Sequence, residues 1–139
     1  MRLIVVGALI FVGCSSGATA PNACDIVADE HVAAVIGSVQ AHPYSIDRFS
    51  ECRWVGDGRE VVLTIEVATD PVLYVAHSIE GSDPGSVSTL DIGDEAVLFA
   101  NEALLARQGS HIVTVTSRTE AVGQLEPLLS AAVAWLASE

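Results

Sequence analysis

Two rhythms of apolar and polar positions run along this chain. Over residues 61–67, Val61, Leu63, Ile65 and Val67 alternate with Val62, Thr64 and Glu66, the period of two that belongs to a strand with one buried and one partly wet face. Residues 51–56 read as the strand before it, with Cys52 and Trp54 on one side and Gly56-Asp57-Gly58 as the tight turn between the two. Shorter strands are expected over 87–90, 96–100, 103–107 and 111–117, with hairpin turns at Asn101-Glu102 and Gln108-Gly109-Ser110. Residues 39–49, which hold His42-Pro43, show no period and read as a loop.

The second rhythm is helical. Val32, Val35 and Ile36 share one face, Asp29 is placed as their N-cap, and Gly37 is a natural stop. Asp70-Pro71 has the form of an N-cap followed by a first-turn proline, ahead of an apolar stripe of Val72, Val75, Ala76 and Ile79 that ends at Gly81. From about Glu120, with Thr119 as its expected cap, Val122, Leu125, Leu129, Ala132, Val133 and Leu136 recur at helical spacing. Pro127 sits inside that pattern, so the helix either kinks there or restarts with the proline in its first turn.

The opening residues follow a different grammar. Met1-Arg2 gives a short positive start, and residues 3–12 are apolar apart from Gly7 and too few for a membrane span, which needs about 20. Such a run reads as a signal peptide; the rival reading, a buried strand, fits poorly with the Ser-, Gly- and Ala-rich residues 15–21 that follow and look like a tether. Phe11-Val12-Gly13-Cys14 resembles a lipobox, the signal at which bacterial lipoproteins are acylated on cysteine and cut before it. Ala18-Thr19-Ala20 is a second possible cleavage site, of the small-x-small form, although Pro21 follows it directly. Cysteine parity favours the lipobox. Of the three cysteines, Cys24 and Cys52 can pair in an oxidising compartment, which leaves Cys14 for the lipid. The expected organisation is a signal peptide over 1–13, a tether over 14–23 and one globular domain over 24–139, held on the outer side of the cell membrane or, if cut after Ala20, secreted.

Composition narrows the function classes. Half of the residues are apolar, so a 139-residue chain can bury one core, while a formal net charge of −12, six scattered arginines and no lysine make nucleic acid a poor partner. His31, His42, His77 and His111 stand alone, without a second ligand at zinc-motif spacing. Gly81-Ser82-Asp83-Pro84-Gly85 lacks the serine position of a nucleophile elbow, and Asp91-Ile92-Gly93-Asp94-Glu95 lacks the ligand spacing of a calcium loop. Trp54 and Trp135 read as core anchors. No catalytic residue, metal ligand or cofactor is expected.

The order of these features, a lipobox, Cys24-Asp25-Ile26-Val27 before a short helix, Cys52-Arg53-Trp54, and Ile92-Gly93-Asp94-Glu95-Ala96, resembles small actinobacterial envelope lipoproteins of unknown function. The resemblance implies that Cys24 and Cys52 are paired and that Gly93, Asp94 and Ala96 introduce a strand. It also implies an α+β fold, an antiparallel sheet with helices packed on it, similar to the Mog1/PsbP-like shape. The residue patterns put about five or six strands and three helices into it. The expected role is binding of an apolar or cell-wall-derived ligand, or of another envelope protein, by a non-enzymatic module anchored in the membrane. Two rival readings are an enzyme whose site gathers distant residues, such as Asp94 or Glu95 near His111, and a passive structural part of the envelope.

Overall fold

The computed structural model describes residues 19–100 and 102–139. The signal-peptide and lipobox residues, most of the tether, and Asn101 of one expected hairpin turn lie outside them. Two helices come first, α1 (Ala23–Ile26) and α2 (Asp29–Ile36), followed by the strands β1 (Gln40–Ile46), β2 (Phe49–Gly56) and β3 (Arg59–Val67). Helix α3 (Pro71–Glu80) leads into β4 (Val87–Leu90), β5 (Glu95–Phe99), β6 (Ala103–Gln108) and β7 (His111–Thr116), and α4 (Glu126–Ala137) closes the described chain. All seven strands form one antiparallel sheet in the order β1-β2-β3-β7-β6-β5-β4. Two meanders, β1–β3 and β4–β7, thus meet where β3 pairs with β7, and α3 is the connection that carries the chain to the far edge.

The α+β class and antiparallel sheet agree with expectation; the strand count is higher, because residues 40–46 form an edge strand where a loop was expected. Six of its seven residues are exposed, so no buried face imprints a period on the sequence, and an edge position tolerates Pro43. A further helix, α1, is a single turn capped by the Asn22 side chain, which accepts from the Cys24 amide. The packed region begins ahead of Cys24. Ala20 is buried and its amide donates to the Asp47 carbonyl at 3.1 Å, while the fully buried Ala23 donates to Ser50 Oγ at 2.7 Å.

Two expected caps are reassigned. Asp29 is the first residue of α2, preceded by Ala28 at the cap, and its carboxylate accepts from Trp54 Nε1 at 2.9 Å. Thr119 does not cap α4; its hydroxyl accepts from the Glu60 amide at 3.0 Å. At Pro127 the helix restarts: a 3-10 turn over Val122–Leu125 gives way to α4, with the proline in the first turn, where its missing N–H costs no hydrogen bond. Asp70 caps α3 by accepting from the Leu73 amide, and Gly81 ends it.

The sheet alternation sorts side chains onto two faces. Cys52, Trp54, Val61, Leu63, Ile65, Leu104, Ala106, Val113 and Val115 point to the side covered by α1, α2 and α4 and form the main core with Val32, Ile36, Leu125 and Leu129. On the other side Val97, Phe99, Leu105 and Ile112 make a smaller core with Val75 of α3. Between β2 and β3, Asp57 and Gly58 take φ values of 54° and 76°, the two positive angles of a hairpin turn whose twist suits the strands it joins.

Gly56 is required for a different reason. A Cβ built there would stand 1.9 Å from the Ser38 carbonyl oxygen, so the backbone entering β1 must move to admit one. Gly56→Ala is expected to lower the unfolding free energy by about 2 kcal/mol. Urea denaturation checks this, and a variant of unchanged midpoint contradicts it.

Candidate functional site

Helix α3 covers only the β4–β7 half of its side of the sheet, and this leaves the β2–β3 half and the adjoining edge of β7 open. Alternation places Glu51 and Arg53 of β2, Val62 and Thr64 of β3, and Thr114 and Thr116 of β7 on this open surface. Register sets Glu51 beside Thr64, Arg53 beside Val62, and Val62 beside Thr116. All of these but Thr114, with Glu60 beside them and Arg118 and Glu102 at the rim, bound a cleft of about 790 Å³. The surface combines hydroxyls, both signs of charge and one half-buried valine, a set suited to hydrogen-bonding a polar ligand rather than to enclosing an apolar one.

Glu60 organises the charge in this cleft. Its side chain is 11% exposed and is gripped from both sides, by Arg118 Nε at 3.1 Å on one carboxylate oxygen and by Arg53 Nη1 on the other. Arg118 Nη2 also reaches the second oxygen at 3.3 Å, so the contact is bidentate. The backbone is fixed as well, since Thr119 Oγ1 accepts from the Glu60 amide and Ser117 Oγ donates to its carbonyl. Arg118 is itself largely exposed and Arg53 partly so; Arg53 also lies 3.8 Å from Glu51. Two of the five described arginines of a strongly acidic protein therefore converge on one cleft, held there by a carboxylate beneath them. A neighbouring pair, Arg59 with Glu120, ties the β2–β3 turn to the segment leading into α4.

These pairs give the fold an acid limb. The Arg118 hydrogen bond, opposed by desolvation and reinforced by Arg53, holds the Glu60 carboxyl below its ordinary value of 4.5. The Arg59 hydrogen bond does the same for Glu120. A depressed folded-state pKa means that the stabilisation is fully present above about pH 4.5 and is lost as pH falls through the lower folded values. The melting temperature is expected to fall on acidification below pH 4.5, and Arg118→Met to flatten that fall. Melting curves between about pH 2 and 6 check it, and an unchanged acid slope in the variant contradicts it.

The structure leaves the other expected residues outside this cleft. Cys24 and Cys52 sit under the opposite face with their sulfurs 2.06 Å apart, at disulfide distance, and their Cα atoms 5.0 Å apart. Cys14 is outside the described residues. Asp94 accepts from the Gly109 amide at 2.8 Å, and both Asp94 and Glu95 pair with Arg107; no hydrogen bond among the described residues joins either to His111. Gly93, with φ 65°, stands where a Cβ would come within 2.9 Å of the Arg107 carbonyl oxygen, and Ala96 is buried in the main core, so this segment sets the packing of β5. His31, His42 and His77 are exposed. Among the described residues no group of three or more His, Cys, Asp or Glu is placed to hold a metal.

No sequence motif announces the Arg53, Glu60 and Arg118 cluster. Its only trace is the polar alternation of Glu51-x-Arg53 and Glu60-x-Val62-x-Thr64, which marks a wet face but not a site. A second, apolar groove of about 430 Å³ lies between α2 and α4, lined by Ala34, Val35, Pro127, Leu128 and Ala131 with His31 at its edge.

No family model matches this sequence, and no curated protein does. Among solved structures there is a match to a thermostable mutant of an aminoglycoside phosphotransferase in ternary complex with AMP-PNP and hygromycin B. It is 17% identical, covers 65% of this chain and has a TM-score of 0.30. The match spans 28% of that protein's length. A likeness of this size carries no functional argument.

Proposed function

We propose that this chain is an exported envelope lipoprotein, anchored through acylated Cys14 on the outer side of the cell membrane, whose open sheet face binds a polar, cell-wall-derived ligand. The observation that carries the ligand class is the cleft itself: Arg53 and Arg118 offer donors for carboxylates, Glu51 accepts from amines or hydroxyls, and Thr64 and Thr116 do both. Glycan and peptide fragments of the wall present these groups together. No helix among the described residues is long and apolar enough to cross a membrane, and the lipobox supplies the anchor in this reading.

The test is a titration of the isotopically labelled domain with soluble wall fragments, followed by amide chemical shifts. Shifts centred on β2, β3 and β7 are expected, with Arg118→Ala weakening binding about tenfold, the loss of roughly one charge-assisted hydrogen bond. Shifts confined to α2 and α4 instead favour the second reading, an apolar ligand in the groove between those helices. An unperturbed spectrum with wall fragments and with lipid extract sinks both.

A further inference from the structure

One end of the sheet is built unlike the rest of the surface. The β1–β2 turn at Asp47 and Arg48, the end of β3 and the first turn of α3 gather there: the Val67 amide donates to the Arg48 carbonyl at 2.8 Å, and Arg48 Nε donates back to the Val67 carbonyl at 3.0 Å. Among the described residues five large apolar side chains are exposed, and four of them, Tyr44, Ile46, Val72 and Leu73, belong to this end. Tyr44 and Ile46 share a face with Phe49; the Tyr44 and Phe49 rings meet edge to face at 6.3 Å, and Ile46 lies opposite Phe49 in the register. Phe49 in turn is opposite Glu66, which accepts from Tyr74 of α3 and lines a cavity with Leu73. Over half of the Tyr44, Ile46 and Val72 surface is open to solvent, with no covering element of the fold above it.

The same end receives the N-terminal chain. Ala20 is pinned to the Asp47 carbonyl, one residue from Ile46 and two from Phe49. Six residue steps separate Cys14 from Ala20, a contour of at most about 20 Å. An acyl anchor on Cys14 therefore keeps this corner near the bilayer surface, while Glu60 and Arg118 lie toward the other end of the strands and Glu51, opposite Tyr44, marks the near limit of the cleft. Aromatic and aliphatic side chains are the groups that settle at a headgroup boundary. Asp47 and Asp70 beside Arg48 give no attraction to anionic lipid, so the interface that fits is a zwitterionic one.

We propose that the sheet end bearing Tyr44, Ile46, Val72 and Leu73 rests on the zwitterionic surface of the bilayer that holds the Cys14 anchor. This rests on the lipoprotein reading above. The test reconstitutes the acylated mature protein in phosphatidylcholine vesicles and follows an indole placed at this end, in Ile46→Trp, or at the opposite end of the same hairpin, in Val55→Trp. Both positions are exposed, so both variants keep the core. With brominated phosphatidylcholine, Ile46→Trp is expected to lose about half of its added fluorescence and Val55→Trp almost none. Equal quenching in both variants, or in neither, overturns the proposal. Emission from Ile46→Trp that responds to protein concentration and not to vesicles also overturns it, by assigning this end to a second copy of the chain. Intact mass reports acylation independently: an unacylated Cys14 removes the anchor reading and this one with it, whereas an acylated protein without selective quenching removes this one alone.

Discussion

Replacing Trp54 with alanine lowers the unfolding free energy by about 4 kcal/mol, the largest loss expected from any single substitution in this domain. The indole is 1% exposed, heads the fully buried side chains by volume, and sits on β2 beneath the helices. Its removal leaves a cavity that a sheet braced by neighbours on both sides cannot close. It also strips Asp29, at the start of α2, of the Nε1 donor that fixes that carboxylate. Trp54→Phe separates the two effects: it keeps most of the packing and loses the hydrogen bond, so about 1–2 kcal/mol is expected. Urea unfolding measures both, and a loss below about 2 kcal/mol for the alanine variant would show that the ring does not organise the core.

Removal of the Cys24–Cys52 link has the second largest expected effect. The pair spans 28 residues, and opening a loop of that length returns conformational entropy to the unfolded chain worth about 3.5 kcal/mol. The double variant Cys24→Ala, Cys52→Ala is suited to the test, because Cys52 is fully buried and alanine adds no polar atom there. The double variant and the parent protein treated with reductant are expected to show the same lowered melting temperature, and reductant to leave the double variant unchanged. A parent protein indifferent to reductant would contradict the link.

The periodic elements of this fold were legible because each has one buried face. In β3, Val61, Leu63 and Ile65 are buried while Val62, Thr64 and Glu66 between and after them are half-buried, which is the alternation visible in the letters. In α3, Asp70, Pro71 and Gly81 mark both ends by local chemistry that needs no tertiary context. The hidden elements lack such a face. Strand β1 is wet on both sides, and the single-turn α1 is too short to show a helical period. Thr119 looked like a cap because its own position permits one; Glu60, 59 residues earlier, claims its hydroxyl instead. The candidate site was hidden for the same reason. Which part of the polar face stays uncovered depends on where α3 lands, and that is decided by Val75 meeting Val97, Phe99 and Ile112 from the far meander.

The disulfide has a mechanical consequence. Tension applied to the chain ahead of Cys24 meets the Ala20 and Ala23 hydrogen bonds and then the covalent bridge into β2, a strand flanked by β1 and β3. A pull from that side is therefore passed to an interior strand of the sheet, and the first helical turn cannot be peeled away one hydrogen bond at a time.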